Sequence, residues 1–467
     1  MGSGVTQRVA ALVIGGGVSG LVCAHALRKA GVDALLVEAS DRVGGAIRTE
    51  RSDGYLLELG PQSFSGTAAM LQLFDELGIR QQVEQGPAGA PRYVLVNGSL
   101  QKVPMSPPAF LSSGFVGFGT KFAVLRDVIG KSAPPEKDES IADFVRRKFS
   151  AEMLDRLVGP FVSGVYAGDP EKLSLRSAFP TMYEAERTRA SVVRGMLAHA
   201  KKQTSDQPRQ RPTLLSFAEG TQTFTDALAT KLGDRLLPNT VVRKIASDQS
   251  SSASRYQVTI RMGAEEQTIA ADHIIVATPT LVASTLLRDI DSVMANRLGD
   301  IEYASIAVVS LGYRKSEVGD SLHGFGFLIP RSAKIRTLGT VWNTSLFPNR
   351  APAETALLTS FIGGATDLNA VQLPPDELAS IVHKEIAPIL KIRTAPMFSN
   401  VTVYPRALPQ YNLGHGERLV AIEGARKEHS NLWLIGNYLR GPSIGACVEQ
   451  SLAVAEEIIQ RQKSKLL

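Results

Sequence analysis

The stretch Val9-Ala10-Ala11-Leu12-Val13-Ile14-Gly15-Gly16-Gly17-Val18-Ser19-Gly20 opens the chain and decides its fold. Leu21 to Ala30, Gly31 and then Ala34-Leu35-Leu36-Val37-Glu38 follow it. Residues 9–14 are apolar throughout, the pattern of a parallel strand buried on both faces. Leu21 to Ala30 reads as a helix that Gly31 stops. Residues 34–37 read as a second strand, with the acid Glu38 at its end, 18 residues after Gly20. Strand, glycine turn, helix, strand and acid at this spacing predict a Rossmann-type dinucleotide site. Gly15 permits the tight turn, Gly17 lets backbone approach a pyrophosphate, and Gly20 lets the helix pack against the strand. The helix N-terminus, at Gly16, Val18 and Ser19, would face the phosphates. Glu38 would accept from ribose hydroxyls.

Composition narrows the class. The chain has 467 residues, which corresponds to about three domains. Hydrophobic residues at 44% and charged residues at 21% exclude a disordered chain or a long coiled coil. The net charge is +6, from 51 Lys and Arg against 45 Asp and Glu. No run of five basic residues occurs, so nucleic acid is not an expected partner. A mild positive excess suits an anionic membrane face or an anionic substrate. Two cysteines, Cys23 and Cys447, build no disulfide framework, and a reducing compartment is expected. The seven histidines show no H-E-x-x-H spacing, so no metal site is expected. The chain runs into its first strand with no signal or transit segment. A cytoplasmic protein reads this way, and so does a plastid protein trimmed of its transit peptide. No stretch of 18 apolar residues is present, so no span of a bilayer is predicted.

Beyond Glu38 the chain reads Ala39-Ser40-Asp41-Arg42-Val43-Gly44-Gly45-Ala46. This run resembles that of flavoproteins of the amine oxidase superfamily, where it lies along bound FAD. The resemblance implies FAD contacts at Ala39, Arg42, Gly45 and Ala46. It implies more at the turn Gly60-Pro61-Gln62-Ser63 and at Val242. Ala271 to Pro279 is an apolar strand that, by the same resemblance, returns the chain to the flavin domain. Leu432-Trp433-Leu434-Ile435-Gly436-Asn437 is a strand and turn, and Ser443-Ile444-Gly445 opens a helix. Gly436, Ser443 and Ile444 complete the implied flavin set, so both ends of the chain and its middle build one site.

Further motifs resemble the protoporphyrinogen oxidase family, FAD enzymes of haem and chlorophyll synthesis. They are Ser163 to Pro170, Leu175 to Pro180, Gly324-Phe325-Gly326, Leu346 to Pro352, Phe361 to Gly364 and Ala407 to Tyr411. The resemblance implies a mixed α/β and α+β architecture in three interleaved regions. A FAD-binding domain would use residues 1–85, 212–280 and 405–467. A mixed-sheet substrate domain would use 86–95 and 281–404. A helical, membrane-facing insertion would use 96–211. Within it, Pro104 to Gly130 is apolar, with Lys121, Arg126 and Asp127 as its only charges. Glycines and Pro107-Pro108 break it into pieces. Such a segment either lies in a membrane interface or packs as core; the resemblance favours the membrane. Lys201 to Arg211 reads as an exposed mobile loop and Ser250 to Ser254 as a hairpin loop.

The chemistry implied by the resemblance is a six-electron oxidation of a porphyrinogen. Hydride passes to flavin N5 in three rounds, and molecular oxygen is reduced to hydrogen peroxide. No catalytic acid or base is assigned, because the reaction asks for orientation in a dry pocket. Arg92 is the implied substrate-holding residue, since a guanidinium grips a propionate through two hydrogen bonds. Gly164 would bring its carbonyl to the pyrrole N–H groups, and Leu322, Leu338 and Leu358 would sandwich the macrocycle. Protoporphyrinogen IX is the first substrate reading. Coproporphyrinogen III, with four propionates, is the second, and a non-catalytic porphyrin-binding flavoprotein is the third. The family also implies a homodimer, monotopic membrane association and inhibition by diphenyl-ether herbicides. Ala46, Arg440 and Pro442 depart from its usual pattern near the flavin.

Overall fold

Four parallel strands that finish level with one another organise the molecule. In this computed structural model, residues 5–130, 135–206, 214–247 and 255–466 are described. Strand Val5–Ile14 pairs with Ala34–Val37 on one side and Glu265–Val276 on the other, both parallel. The second half of Glu265–Val276 also pairs with Leu432–Leu434. The register sets Ile14 beside Val37 and Val276, and Val276 beside Leu434. Each strand therefore stops at the same edge, where an open α/β sheet collects ligands. Leu236–Leu237, Thr240–Ser247 and Tyr256–Met262 complete this seven-stranded sheet.

The central strand alternates its sides in the way a doubly covered sheet requires. Ala11 and Val13 pack with Leu21, Leu228 and Val448 from helices Val18–Lys29, Gln222–Leu232 and Ile444–Leu466. Leu12 and Ile14 pack with Ala283, Leu298 and Ile422 from Thr280–Leu287, Ser292–Gly299 and His415–Glu428. The helices at 280–299 thus cover the first sheet, although the sequence assigns 281–404 to the substrate region.

The second seven-stranded sheet is mixed. Its order is Phe398–Pro409, Tyr303–Arg314, Thr355–Gly363, Thr337–Trp342, Gly326–Leu328, Arg92–Val96 and Ser99–Lys102. The hairpin 92–96/99–102 stays in this sheet, so the helical insertion begins after residue 102 rather than at 96. Helix Pro375–Leu390 covers one face with Leu378, Val382, Ile386 and Leu390. The other face turns towards Tyr55, Leu57 and Leu59, which lead into the Gly60 turn.

Pro104 to Gly130 forms two helices, Pro107–Ser112 and Phe118–Ile129. The second buries Thr120, Ala123 and Asp127. Asp127 is ion-paired with Lys148 at 2.6 Å and accepts from Ser191 at 2.9 Å, anchoring the helix inwards. The helix Val192–Asp206 runs through Lys201 to Asp206, where the sequence suggests a loop. A continuous helical hydrogen-bond ladder outweighs the polar composition there. Residues 207–211, the rest of that loop, and Ser250 to Ser254 lie outside the described residues, although their flanking strands pair antiparallel, Ser247 with Tyr256.

Candidate active site

At the level edge of the first sheet the backbone forms an open cradle. Gly15 has φ +110°, a conformation that side chains resist. A Cβ on Gly20 would stand 1.9 Å from the Gly15 carbonyl oxygen, so only glycine lets the helix close onto the strand. Gly17 is the opposite case, since a Cβ there would meet nothing within 4 Å. No side chain caps this helix, whose first N–H groups point into that space. The Gly45 turn backs onto Gly17, and a Cβ on Gly45 would lie 3.2 Å from the Gly17 Cα. Thr278, in the loop after Val276, has a buried hydroxyl without a partner among the described residues. Space, free donors and an orphaned hydroxyl together fit a dinucleotide pyrophosphate.

Glu38 and Arg42 frame the cradle. Glu38 accepts from Gly16 N–H at 2.6 Å and from the Ser40 N–H and hydroxyl at 2.9 and 2.7 Å. Its neighbour Thr240 donates to the Glu38 carbonyl at 2.8 Å and heads the strand that carries Val242, while Ala39 is exposed beside it. Arg42 turns towards backbone, donating to Val43 O at 3.0 Å and Gly45 O at 2.5 Å. It braces the glycine pair, leaving Gly45 and Ala46 exposed to the cradle. A Cβ on Gly60 would lie 1.9 Å from Ala46 O, so the two loops touch backbone to backbone. Pro61 and Ser63 flank Gln62 on that second loop and are half-buried. Gln62 donates to Glu58 O at 2.7 Å and accepts from Asn343 at 2.7 Å, reaching across to the second sheet.

The C-terminal turn closes the same end. Gly436, φ +155°, donates its N–H to Gln450 at 3.0 Å. Ser443 caps the last helix through Ala446 N–H at 3.1 Å, next to buried Ile444. The first and last helices lie side by side, and the Cys447 thiol meets the Ser19 hydroxyl; burial pushes that thiol above its ordinary pKa.

Two buried groups carry no signal in the local sequence. Glu58 accepts from Thr221 N–H at 2.8 Å, the Thr221 hydroxyl at 2.7 Å and the Thr49 hydroxyl at 2.8 Å. Arg350 faces it and donates to Ser216 at 2.8 Å and Phe217 O at 3.0 Å. Burial raises the carboxyl pKa and lowers that of the guanidinium.

The candidate substrate cleft is the seam where the second sheet meets the insertion, around strands 326–328 and 337–342. Arg92 is exposed at its mouth, 5.2 Å above the Phe325 ring, and pairs in register with Gly326. Gly164, on helix Gly159–Tyr166, faces Leu328, whose Cδ2 would lie 2.8 Å from a Cβ there. Leu338 packs with Ala167, Ile306 and the half-buried Phe361. The structure thus brings Arg92, Gly164 and Leu338 together. It does not bring Leu322 or Leu358 there. Both are buried with Trp342 in the core under helix 375–390, on the far face of the sheet. The clamp positions implied for these two are therefore corrected. Phe325, Val341, Leu346, Phe347 and Phe361 form the apolar cluster on the near face, which sequence reasoning missed as site residues. The available signal was glycine: Gly324 and Gly326 have φ of +145° and +137° on either side of Phe325.

The comparisons agree with this geometry. The profile of flavin containing amine oxidoreductases matches residues 18–459. Protoporphyrinogen oxidase 1 of Spinacia oleracea is 34% identical, over 96% of this chain and 84% of its own length. Coproporphyrinogen III oxidase of Bacillus subtilis is 29% identical, over 96% of this chain and 97% of its own. Among solved structures, a protein of Exiguobacterium sp. 255-15 superposes with a TM-score of 0.80 at 21% identity, covering 98% of this chain and 99% of that one. Cyclohexylamine oxidase of Brevibacterium oxydans gives 0.71 at 19%, covering 97% and 99%. These two show the fold. Through its cradle, its two sheets and a profile that spans nearly its whole length, this chain belongs to the flavin containing amine oxidoreductase family, and its cofactor is FAD.

Proposed function

We propose that this chain is an FAD-dependent porphyrinogen oxidase that converts protoporphyrinogen IX to protoporphyrin IX with molecular oxygen as acceptor and hydrogen peroxide as product. The observation that carries the reading is the cleft: one exposed arginine over an aromatic ring at the mouth of an apolar wall. Similarity to protoporphyrinogen oxidases across 96% of the chain supports it. Bound FAD supplies the hydride acceptor. The chain's own residues orient and dry the substrate. Arg92 holds a propionate, Phe325 and Phe361 offer ring faces, and Gly164 lets its helix close onto Leu328 of the sheet. No acid or base is assigned to the reaction, and orientation over the cofactor is the protein's contribution. The FAD set is Gly15 to Gly20, Glu38, Ala39, Gly45, Ala46, Gly60 to Ser63, Val242, Gly436, Ser443 and Ile444, with Arg42 as its brace.

The second reading is oxidation of coproporphyrinogen III, favoured by the Bacillus relative. Its four propionates ask for more cations than Arg92 alone. The test incubates purified holoenzyme under air with each porphyrinogen, following porphyrin fluorescence and peroxide. Faster turnover of coproporphyrinogen reverses the substrate, and no product from either leaves a binding flavoprotein.

The reading includes a membrane surface as partner. Among the described residues no helix is long and apolar enough to cross a membrane. Helix Phe118–Ile129 instead exposes Phe118 at 90%, Phe122 at 68%, Leu125 at 49% and Ile129 at 81%. These positions form one stripe on a 3.6-residue period. Lys121 and Arg126 flank it on either side, with the Lys121 ammonium donating to Ser113 O at 2.6 Å, and an apolar stripe edged by cations suits a helix lying in an interface.

A further inference from the structure

Tyr411 and His415 stand outside the FAD set and outside the cleft, yet their polar atoms converge on one loop. Tyr411 follows the long strand Phe398–Pro409, and His415 begins the helix His415–Glu428. Their rings stack 4.3 Å apart at an angle of 8°. The Tyr411 hydroxyl donates to Asn437 O, and the Gly441 N–H faces the Tyr411 phenolic oxygen. His415 Nε2 lies 3.0 Å from Tyr438 O. A carbonyl only accepts, so Nε2 carries the proton and the ring is the neutral tautomer. Burial agrees, holding the His415 pKa down at about 4. Its Nδ1 is buried without a partner among the described residues.

The loop they hold is the turn from Gly436 to Gly441. Both end glycines have positive φ, +155° and +135°. Inside it, Leu439 N–H to Gly436 O is its own cross-bond, and Gly436 N–H to Gln450 ties one end. Tyr438 is buried in the core and Leu439 packs beside it, so the side chains of the turn are anchored while its glycine-hinged backbone has few hydrogen bonds and loses conformational entropy on ordering. On its other side the stack meets the insertion. Tyr166, on the helix that carries Gly164, packs 5.6 Å from the Tyr411 ring, and Ser174 N–H donates to Tyr411 O at 2.8 Å.

We propose that Tyr411 and His415 are positioning residues for the flavin: they lock the 436–441 turn in its cofactor-holding form and tie it to the helix that lines the cleft. This rests on the reading of Gly436, Ser443 and Ile444 as FAD contacts. Both side chains are 1% exposed, so the role assigned to the stack is indirect. The stack acts by ordering the backbone of that turn.

The test uses purified holoenzyme and three variants, Tyr411→Phe, His415→Ala and His415→Gln. FAD release is followed by flavin fluorescence, global unfolding by far-UV circular dichroism, and the bound flavin by its visible circular dichroism. Tyr411→Phe keeps the ring and removes the hydroxyl. It should release FAD about tenfold faster, the loss of one or two buried hydrogen bonds. The visible flavin spectrum should change while KM for the porphyrinogen stays within about twofold. His415→Ala should do the same, and His415→Gln, whose amide can donate to Tyr438 O, should recover much of the retention. Release rates within twofold of the parent in both Tyr411→Phe and His415→Ala overturn the proposal. So does FAD loss that appears only together with global unfolding. Gly17→Val is the control on the site itself. If it retains FAD, the cradle reading falls and the proposal falls with it; if it alone loses FAD, the positioning role fails while the cradle stands.

Discussion

Arg350 Nη1 lies 4.0 Å from Glu58 Oε1, and both side chains are 1% exposed. The pair joins three segments distant in sequence: the strand before the Gly60 turn, the 214–221 stretch and the Leu346 to Pro352 motif. Removing Arg350 leaves the Glu58 carboxyl buried with hydrogen bonds from Thr49 and Thr221 but without its countercharge. Arg350→Ala should cost about 3–5 kcal/mol, read as a lower midpoint in chemical denaturation of the holoenzyme. An unchanged midpoint would mean that the pair holds nothing.

The same carboxyl sets a pH dependence. Burial raises the Glu58 pKa above its ordinary 4.5, so the folded chain keeps this proton longer than the unfolded one. Stability linked to the group is fully present below the unfolded value and is lost as pH rises through the folded one. Compared with Glu58→Gln, the parent should therefore lose ground as pH climbs from 4.5 towards neutrality. Parallel stability curves for the two proteins would contradict this.

Gly20 and Gly17 should separate folding from cofactor binding. Gly20→Ala forces a Cβ to within 1.9 Å of a carbonyl oxygen, so the helix must move and the protein should lose both FAD and stability. Gly17 sits at φ −69°, which alanine tolerates, and nothing of the protein occupies the space. Gly17→Ala should leave apoprotein melting unchanged and lower FAD content on purification.

Arg92→Ala should raise KM for the porphyrinogen by about 10–100-fold, the worth of a charge-assisted pair, at unchanged FAD content. Arg92→Lys should recover part of it, because an ammonium lacks the planar fork. Unchanged KM in steady-state kinetics would remove Arg92 from the site.

Phe118→Ser combined with Phe122→Ser should abolish co-sedimentation with phospholipid vesicles. Both side chains are largely exposed, so stability should move by no more than about 0.5 kcal/mol. Vesicle binding equal to the parent would assign the stripe to something other than a lipid surface.

The glycine turn of the cradle was legible because its strand, turn, helix and acid are neighbours in sequence, and Gly20 meets the Gly15 carbonyl five residues away. The cleft was legible only in part. Arg92 and Gly164 carry their chemistry with them, but a strand residue's role depends on which way it faces. Leu357 looks towards Tyr55, Leu57 and Leu59, whereas Leu358 looks into the core beneath helix 375–390. A strand has a period of two, so the face a leucine takes turns on a single position of register. Glu58 with Arg350, and Tyr411 with the 436–441 turn, were not legible at all. Their partners meet only through tertiary packing, and no local pattern records that.

The level edge formed by Ile14, Val37, Val276 and Leu434 also bears on the order of events during synthesis. The first two strands emerge early, but Glu265–Val276, which pairs with the first, comes mid-chain, and Leu432–Leu434, which pairs with that strand, and the capped helix behind it come last. Until they leave the ribosome, the nascent chain presents half a cradle and an unfilled sheet edge, surfaces prone to aggregation. The cradle is thus completed only at the end of synthesis, and a chain truncated before residue 432 would carry the glycine fingerprint without the C-terminal turn that closes it.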